Sequence, residues 1–315
     1  PATEPEKPAV PEKPPEVPKA SPEEEKKAER LLATARKAFE REKYEDALEA
    51  TTDLEPLAHT AVAVANAKEI RRIHGLSRLE VLGPAALLHG AVKVIRGREV
   101  EITYDFSTPE QKKDWEYTTP FAHPLTGNFW IQSDALHGRG VGAAVHPAEF
   151  EPGTLTLKTR VKALEPNDFG VILLEPEEMA NFYIYAVQNR FFVIKLDRPV
   201  HENVLGIHGP GAWADTPDGF HGWVRKNGSP KPAITAGEWV TLEARKVKGT
   251  MEMVIKGTSI KGSAFGDNRY VFPALQPAVY VIKGDALFDD IVIRGTLKQS
   301  WIERRMRWER KKLIE

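Results

Sequence analysis

The feature that most constrains the fold of this chain is a long series of short segments in which apolar and polar residues alternate. They lie between Leu87 and Leu297, and the stretches that link them contain Gly, Asn, Pro and Asp without a helical period. The segments are AVKVI, EVEITYDF, GTLTLKTRVKAL, FGVILLE, NFYIYAVQ, RFFVIKLD, EWVTLEARKV, TMEMVIKG, AVYVIKG and FDDIVIRGTL. Short strands joined by such turns are typical of antiparallel sheets, so the sequence predicts a two-sheet antiparallel sandwich and argues against a parallel α/β architecture.

Composition excludes several classes of function. The 315 residues include no cysteine, which excludes disulfides, Cys-ligated zinc, iron–sulfur clusters and thiol nucleophiles. The 44 Lys and Arg residues nearly balance the 45 Asp and Glu residues, so no nucleic-acid partner is expected. No apolar stretch approaches the roughly 18 residues of a membrane helix, so no transmembrane segment is expected. Because the chain starts at Pro1 without an initiator Met or a signal peptide, we interpret it as a fragment or a processed product.

The first 22 residues contain eight prolines, spaced by Glu, Lys, Ala and Val. Such a segment has too few apolar residues to offset the entropy of ordering, and its prolines favour an extended conformation. The sequence therefore predicts a disordered proline-rich tether over residues 1–21. A proline-rich recognition ligand is the alternative.

Residues 22–80 are predicted to be helical. Ser21, Pro22 and Glu24 supply an N-cap, a first-turn proline and an acidic first turn. A second short helix is expected from Tyr44 and a third from Leu57. The first helix carries an apolar stripe at three- and four-residue spacing, formed by Ala28, Leu31, Leu32, Ala35, Ala38 and Phe39.

This helical pattern resembles one tetratricopeptide-type hairpin. It departs from that family where Thr51 stands in place of a large residue. Because such repeats normally need about three copies to bury a continuous face, we expect a helical packing element and not a peptide-binding groove. The matching residues are Leu31, Ala35, Ala38, Tyr44, Ala47 and Leu54.

Three stretches within the predicted β region, residues 87–297, resemble bacterial concanavalin A-like (laminin-G-like) jelly-roll domains. YDFSTPEQKKDWE is similar to their opening, a strand followed by Phe-Ser and a short helix that ends in Asp-Trp. GEWVTLEARKVKGTMEMVIKG resembles their paired strands, and PAVYVIKGDALFDDIVIRG resembles their closing hairpin. The resemblance implies a mainly β fold, a two-sheet antiparallel jelly-roll sandwich with an N-terminal α-helical hairpin and a C-terminal helix.

Members of this broad group include carbohydrate-binding modules, glucanases and the 3-keto-disaccharide hydrolase-like domains of envelope proteins in planctomycete-type bacteria. The resemblance therefore implies a carbohydrate or protein partner and an extracytoplasmic or cell-envelope location. Fold-level analogy alone does not assign a function.

No pattern of catalytic residues is found in the sequence. Related glucanases place two carboxylates on one strand face with Glu-x-Asp-x-x-Glu, and Glu-x-Asp occurs nowhere in this chain. The acidic run Glu175-Pro176-Glu177-Glu178 is interpreted as a solvated loop, and Gly138-Arg139-Gly140-Val141-Gly142 as a flexible turn between strands. A glycoside-processing enzyme with carboxylates on loops remains the alternative.

Metal binding is not favoured, and no cofactor is predicted. His201, His208 and His221 lie near one another in sequence, but without the spacing that places metal ligands on one helical face. Asp289 and Asp290 could contribute to a structural calcium site. The favoured interpretation is that one of these two carboxylates hydrogen-bonds nearby backbone and pins the final hairpin.

The region expected to meet a ligand is the long section from 197 to 239, which lacks strand alternation. Aromatic rings stack on the apolar faces of sugars while carboxylates bind their hydroxyls, so its composition suits saccharide recognition. The section folding over its own core, and a covered strand face, are the alternatives. The candidate ligand contacts are Trp213, Asp215, His221 and Trp223 in this section, with Tyr183, Tyr185 and Lys195 on the strands before it.

Residues 298–315 predict a basic amphipathic helix with seven Lys and Arg against three Glu. Docking on its own protein or on a partner subunit is favoured over a membrane surface or nucleic-acid phosphates, because the Glu residues interrupt the basic face. An oligomer or larger complex could form through residues 22–80 and 298–315. The sequence as a whole predicts a non-catalytic binding or assembly module that recognises carbohydrate or protein; a structural subunit of a larger assembly is a further alternative.

Overall fold

The computed structural model describes the helical regions at both ends of the chain and most strands of the β region. The chain divides into two compact units, a helical unit formed by residues 1–83 with 309–315, and a β unit formed by residues 84–308. The described residues are 20–118, 128–165, 168–174, 192–197, 204–208, 223–224, 237–247, 250–255, 261–265 and 275–315. The predicted tether over residues 1–21 lies almost entirely outside them.

The helices begin where the capping residues predict. Ser21 and Glu24 form a reciprocal capping box, in which each side chain accepts from the other residue's backbone N–H, at 3.2 and 2.7 Å. The expected third helix begins at Ala61, where the Thr60 hydroxyl accepts from the backbone N–H of Ala63, and it is divided in two at Asn66, whose φ of -112° and ψ of 16° depart from helical values. The helices are α1 (Pro22–Glu40), α2 (Tyr44–Thr52), α3 (Ala61–Ala65), α4 (Ala67–Leu82) and α5 (Gln299–Ile314).

Small residues allow α1 and α2 to pack closely against α4. Ala35, Ala38, Ala47 and Ala50 form one buried cluster with Ile73. Thr51, the departure from the tetratricopeptide pattern, is buried, and its hydroxyl lies 3.1 Å from His74 Nδ1 and donates to the Ala47 carbonyl. Thr51 therefore replaces an apolar contact with a satisfied polar one.

The last residues of the chain complete the helical unit. Gly75 on α4 lies against Leu313, so that an added Cβ would be 2.5 Å from Leu313 Cδ2. Lys68 Nζ donates to the Glu315 carbonyl at 2.6 Å. None of the described helices combines the length and apolar character that crossing a membrane would require.

The β unit is a jelly-roll sandwich in which every strand pairing of the described residues is antiparallel. A long last strand, β14 (Gln276–Leu297), belongs to both layers. The other strands are β1 (Ala91–Arg96), β2 (Glu99–Tyr104), β3 (Glu116–Thr118), β4 (Asn128–Gln132), β5 (Ala135–Val145), β6 (Phe150–Glu165), β7 (Asp168–Leu174), β8 (Phe192–Asp197), β9 (Val204–His208), β10 (Trp223–Val224), β11 (Trp239–Val247), β12 (Thr250–Ile255) and β13 (Lys261–Phe265).

The strand order across the curled sheets is β10-β9-β8-β7-β14-β6-β11-β12-β13. The first half of β14 also pairs with β5, which in turn pairs with β3 and β4. The second half also pairs with β2, which pairs with β1. Sharing one strand between the layers lets the sheets curl around a common core.

Large inward-facing side chains fill that core. Tyr104, Phe106, Phe150, Tyr280 and Phe288 are all almost fully buried. Burial of each such side chain stabilises the fold by about 1.5–3 kcal/mol before the entropy of ordering is counted. The alternating strands predicted from the sequence therefore form a sandwich around a continuous aromatic core.

Two local predictions are wrong. The expected closing hairpin is one continuous strand, β14, in which register shifts near Gly284 and Asp289 bend the strand in place of a turn. The glycine-rich segment 138–142 lies inside β5 and is not a flexible turn. Close packing requires glycine at position 138, because a Cβ added to Gly138 would lie 2.5 Å from Phe129 Cε1.

Candidate functional site

Most ligand contacts predicted from the sequence lie outside the described residues. Lys195 and Trp223 are on described strands, β8 and β10, and both stand opposite Gly206 in register, which brings them to one level of the sheet. Nothing tests whether they bind a ligand, so that assignment stays a prediction. The contacts that lie outside the described residues are Tyr183, Tyr185, Trp213, Asp215 and His221.

The described β unit has another surface with the features of a binding site. Along β6 and β11 the even- and odd-numbered residues alternate between buried and accessible, which defines an outer face of the sheet. Strand register aligns residues of five neighbouring strands on this face. The outer-face row, as we name it, consists of Trp130, His137, Leu287, Lys162 and Trp239, in that order.

The outer-face row has a tryptophan at each end. Neighbouring strands lie about 4.8 Å apart, so the backbones of Trp130 and Trp239 are separated by about 19 Å. Trp239 is 38% exposed and Trp130 is half-buried. The two ends of the row are therefore aromatic and accessible, whereas between them His137 is buried and Leu287 and Lys162 are half-buried.

His137 holds the Trp130 end of the row. Its ring stacks on Trp130 with centroids 4.0 Å apart, and its Nδ1 lies 2.7 Å from Gln132 Oε1, which also accepts from Trp130 Nε1. Its Nε2 is hydrogen-bonded to Asp285, whose other oxygen lies 3.7 Å from Arg139 Nε. Because both imidazole nitrogens are engaged by Gln132 and Asp285, His137 serves to orient its neighbours.

A tight turn makes this arrangement possible. Ser133 and Asp134 have φ values of +50° and +55°, the backbone of a two-residue hairpin between β4 and β5. The hairpin sets Trp130 directly opposite His137 and brings Gln132 within reach of the imidazole.

Arg160 holds the Trp239 end. Its Cζ lies 4.9 Å from the centroid of the Trp239 ring, within the range of a cation–π contact. The guanidinium is hydrogen-bonded to Asp289, and its Nε lies 3.0 Å from Asp290 Oδ2, an ion pair without hydrogen-bond geometry. The bond to Asp289 raises the pKa of Arg160 above its usual value.

The two aspartates bear on the calcium alternative. Asp289 Oδ1 accepts from the backbone N–H of Asp290 at 2.7 Å, so the predicted bond to nearby backbone is present, although within a continuous strand. Arg160 contacts both carboxylates, so one cation already offsets part of their charge. Among the described residues, no group of three or more His, Asp or Glu side chains is arranged to hold a metal ion.

Next to the row, the same face forms a depression of about 830 Å³, here called the outer groove. Its acidic and basic residues are largely matched: Arg294 pairs with Glu99 at 2.9 Å, and Arg245 with Glu243 at 3.2 Å. Threonines of β6 and Lys158 line it as well. The outer groove therefore presents hydrogen-bonding groups with little net charge.

A second polar cluster lies inside the β unit, where the opening motif folds. Asp114 ends a 3-10 helix, is 2% exposed, and accepts from the backbone N–H groups of His89 and Gly90 at 2.5 and 3.0 Å. It also accepts from the Tyr104 hydroxyl at 2.8 Å and from His89 Nδ1 at 2.8 Å. Its carboxylate is thus saturated by groups of the protein itself.

The buried chain, as we name it, continues from Tyr104 to His146. The backbone N–H of Ala148 donates to His146 Nδ1, which leaves Nε2 as the donor to the Tyr104 hydroxyl, at 2.6 Å. Burial lowers the pKa of His146 to about 4 and raises the pKa of Tyr104 well above its usual value. Both groups are therefore neutral near pH 7 and serve to fix the motif.

Sequence reasoning missed the residues of the outer-face row. The segment NFWIQSDALHG contained a usable signal, since Phe129 and Ile131 alternate with Trp130 and Gln132 before a Ser-Asp turn. Trp239 was expected to begin a strand and does so, but no sequence pattern linked it to Trp130.

The chain matches no family model and no curated protein sequence. Solved structures similar to it include a family 66 carbohydrate-binding module from Bacillus subtilis, at 11% identity over 58% of this chain and 96% of that chain, with a TM-score of 0.39. A protein of unknown function with a galectin-like fold, also from Bacillus subtilis, is 13% identical over 66% of this chain and 100% of that chain, with a TM-score of 0.44. LamA from Z. galactanivorans, in complex with laminaritriose and laminaritetraose, is 10% identical over 61% of this chain and 97% of that chain, with a TM-score of 0.44. Likenesses this weak decide nothing about the ligand or activity of this chain.

Proposed function

We propose that the β unit is a non-catalytic saccharide-binding module and that the outer-face row is its binding surface. The observation that carries this proposal is the pair of accessible tryptophans, Trp130 and Trp239, at the ends of one row that also contains Lys162. Aromatic rings pack against the apolar C–H faces of sugars, and charged or amide groups bind the hydroxyls. A length of about 19 Å favours an oligosaccharide over a single sugar.

The two aromatic ends are oriented before any ligand arrives. Trp130 is held by His137 and Gln132, and Trp239 packs against Arg160, which is itself fixed by Asp289. A surface whose side chains are already ordered loses less conformational entropy on binding. This favours direct binding to the row over rearrangement of the sheet.

The proposal is tested by a glycan-array screen followed by titration calorimetry on the glycans that bind. We expect Trp130→Ala and Trp239→Ala each to weaken binding at least tenfold, because each removes one of the two aromatic contacts. Trp308→Ala is the matched control, since Trp308 is 48% exposed on α5 and lies outside the outer-face row. Circular dichroism on each variant checks that the β structure is retained.

Two results would overturn the proposal. One is the absence of binding to every glycan on the array. The other is unchanged affinity in both row variants, and if Trp213→Ala or Trp223→Ala abolished binding instead, the section predicted from the sequence would be the site. Analysis of the glycans after incubation also tests the glycoside-processing alternative, because shortened products would mean that the β unit is an enzyme.

A further inference from the structure

The middle strand of the outer face, β6, carries three cations at alternate positions. They are Lys158, Arg160 and Lys162, and alternation directs all three to the same face of the sheet. Arg160 is matched by Asp289 and Asp290. Among the described residues, neither lysine has an ion-pair partner.

Of the two lysines, Lys162 has the charge that is less exposed to solvent. It is half-buried and stands directly between Leu287 and Trp239 in the outer-face row. Partial burial makes an uncompensated charge costly, so an ammonium at such a position usually has an anionic partner.

The carboxylates of the neighbouring strand are already occupied. Asp285 is shared by His137 and Arg139, and Asp289 by Arg160 and the backbone N–H of Asp290. The described part of the sheet thus leaves a cation without a counter-charge beside an exposed aromatic ring. A ligand that supplies a carboxylate there would gain a charge-assisted hydrogen bond in a partly desolvated position.

We propose that the outer-face row selects saccharides that contain uronic acid, with Lys162 as the specificity-determining residue. This inference rests on the proposed function, since it assumes that the row binds sugars. The sugar ring packs on Trp239 and its carboxylate accepts from the Lys162 ammonium. Lys158 lies four residues away, about 13 Å along the strand, and stands opposite Glu243 in register, so Lys162 is the lysine assigned to the ligand.

Matched pairs of oligosaccharides test this inference. Oligomers of galacturonate, glucuronate and mannuronate are each compared with the carboxyl-reduced form of the same oligomer, which differs only in charge. We expect at least one acid to bind about tenfold or more tightly than its reduced form, and this difference to shrink as salt is raised. Lys162→Met should abolish the difference while keeping affinity for the reduced form, Lys162→Arg should preserve it, and Lys113→Met is the control for a lysine elsewhere.

The outcomes separate this inference from the proposed function. Equal binding of acid and reduced forms, or binding only of neutral glycans from the array, overturns the uronate preference and leaves saccharide binding intact. A preference that persists in Lys162→Met overturns the role of Lys162. No binding of any glycan overturns both proposals, and thermal melting of Lys162→Met and Lys162→Arg checks that each variant is folded.

Discussion

The β unit contains two clusters built from the same residue types, and they do opposite things. In the buried chain, Asp114 and His146 lie on either side of Tyr104, and the rings of Tyr104 and His146 pack against Trp115. In the outer-face row, a hydrogen bond joins His137 to Asp285 beside Trp130. The first cluster is enclosed in the core, whereas in the second the buried His137 supports Trp130, which is half-buried at the edge of the row.

The difference teaches that the position of such a cluster in the sheet, and not the identity of its residues, decides what it can do. Each polar group of Asp114, Tyr104 and His146 is used by another group of the protein, so the buried chain offers nothing to a ligand. In the row, the polar bonds orient Trp130 and leave its surroundings accessible. Histidine and aspartate serve to fix a fold in one place and to shape a surface in the other.

The largest change in stability among the tests of this comparison is expected from Asp114→Ala. This change leaves the buried Tyr104 hydroxyl and two backbone N–H groups without their acceptor, so the free energy of unfolding should fall by about 3–5 kcal/mol. Urea denaturation measures it. Glu110→Ala, on the same 3-10 helix but exposed, is the control and should stay within about 0.5 kcal/mol of the parent protein. A loss below about 1 kcal/mol for Asp114→Ala would mean that the buried chain does not hold the motif.

The pH dependence of stability should come next in size. His146 has a pKa of about 4 in the folded protein against 6.5 in the unfolded chain, because burial disfavours its charged form. The stabilising contribution of the neutral ring is complete above pH 6.5 and is lost as the pH falls towards 4, by about 3 kcal/mol.

Unfolding free energies measured in urea between pH 7 and 4 test this prediction. His146→Gln removes the titrating group. Over that interval, the slope of the unfolding free energy against pH should therefore fall by the amount that corresponds to about one proton taken up on unfolding. His137→Gln, in the outer-face row, is the matched comparison and should leave the His146 part of the slope in place. An identical slope in the parent protein and in His146→Gln would contradict the assignment.

The smallest stability effect is expected from Trp239→Ala. Because Trp239 is partly exposed and packs mainly on Arg160, its loss should lower the free energy of unfolding by less than about 1 kcal/mol. Its effect on glycan binding should nevertheless be large. A loss of several kcal/mol would show that Trp239 holds the sheet together, and the contrast between the two clusters would then disappear.

Much of the fold could be predicted from local patterns. The alternating segments, the Ser21 cap and the Phe-Ser motif before Asp114 each depend on residues close in sequence. The errors came where local signals were ambiguous. Gly284 resembles a turn, yet the pairing with β5 continues past it and makes it part of a bend. Gly138 is set in its strand by contact with Phe129.

The candidate site was much less predictable. Sequence reasoning chose aromatic residues that lie close together along the chain, whereas the outer-face row collects one residue from each of five strands. Trp130 and Trp239 are more than a hundred residues apart in the chain and share a row only because β5, β14 and β6 lie between their strands.

The amino-acid sequence alone determined that this chain forms antiparallel strands after a helical segment, since alternation and capping depend on neighbours a few residues away. Only the tertiary structure decided which histidine and which aspartate fix the core and which support a tryptophan at the surface. The physical reason is that strand register and burial arise from pairings between distant segments. The type of a single residue does not specify which residue it pairs with.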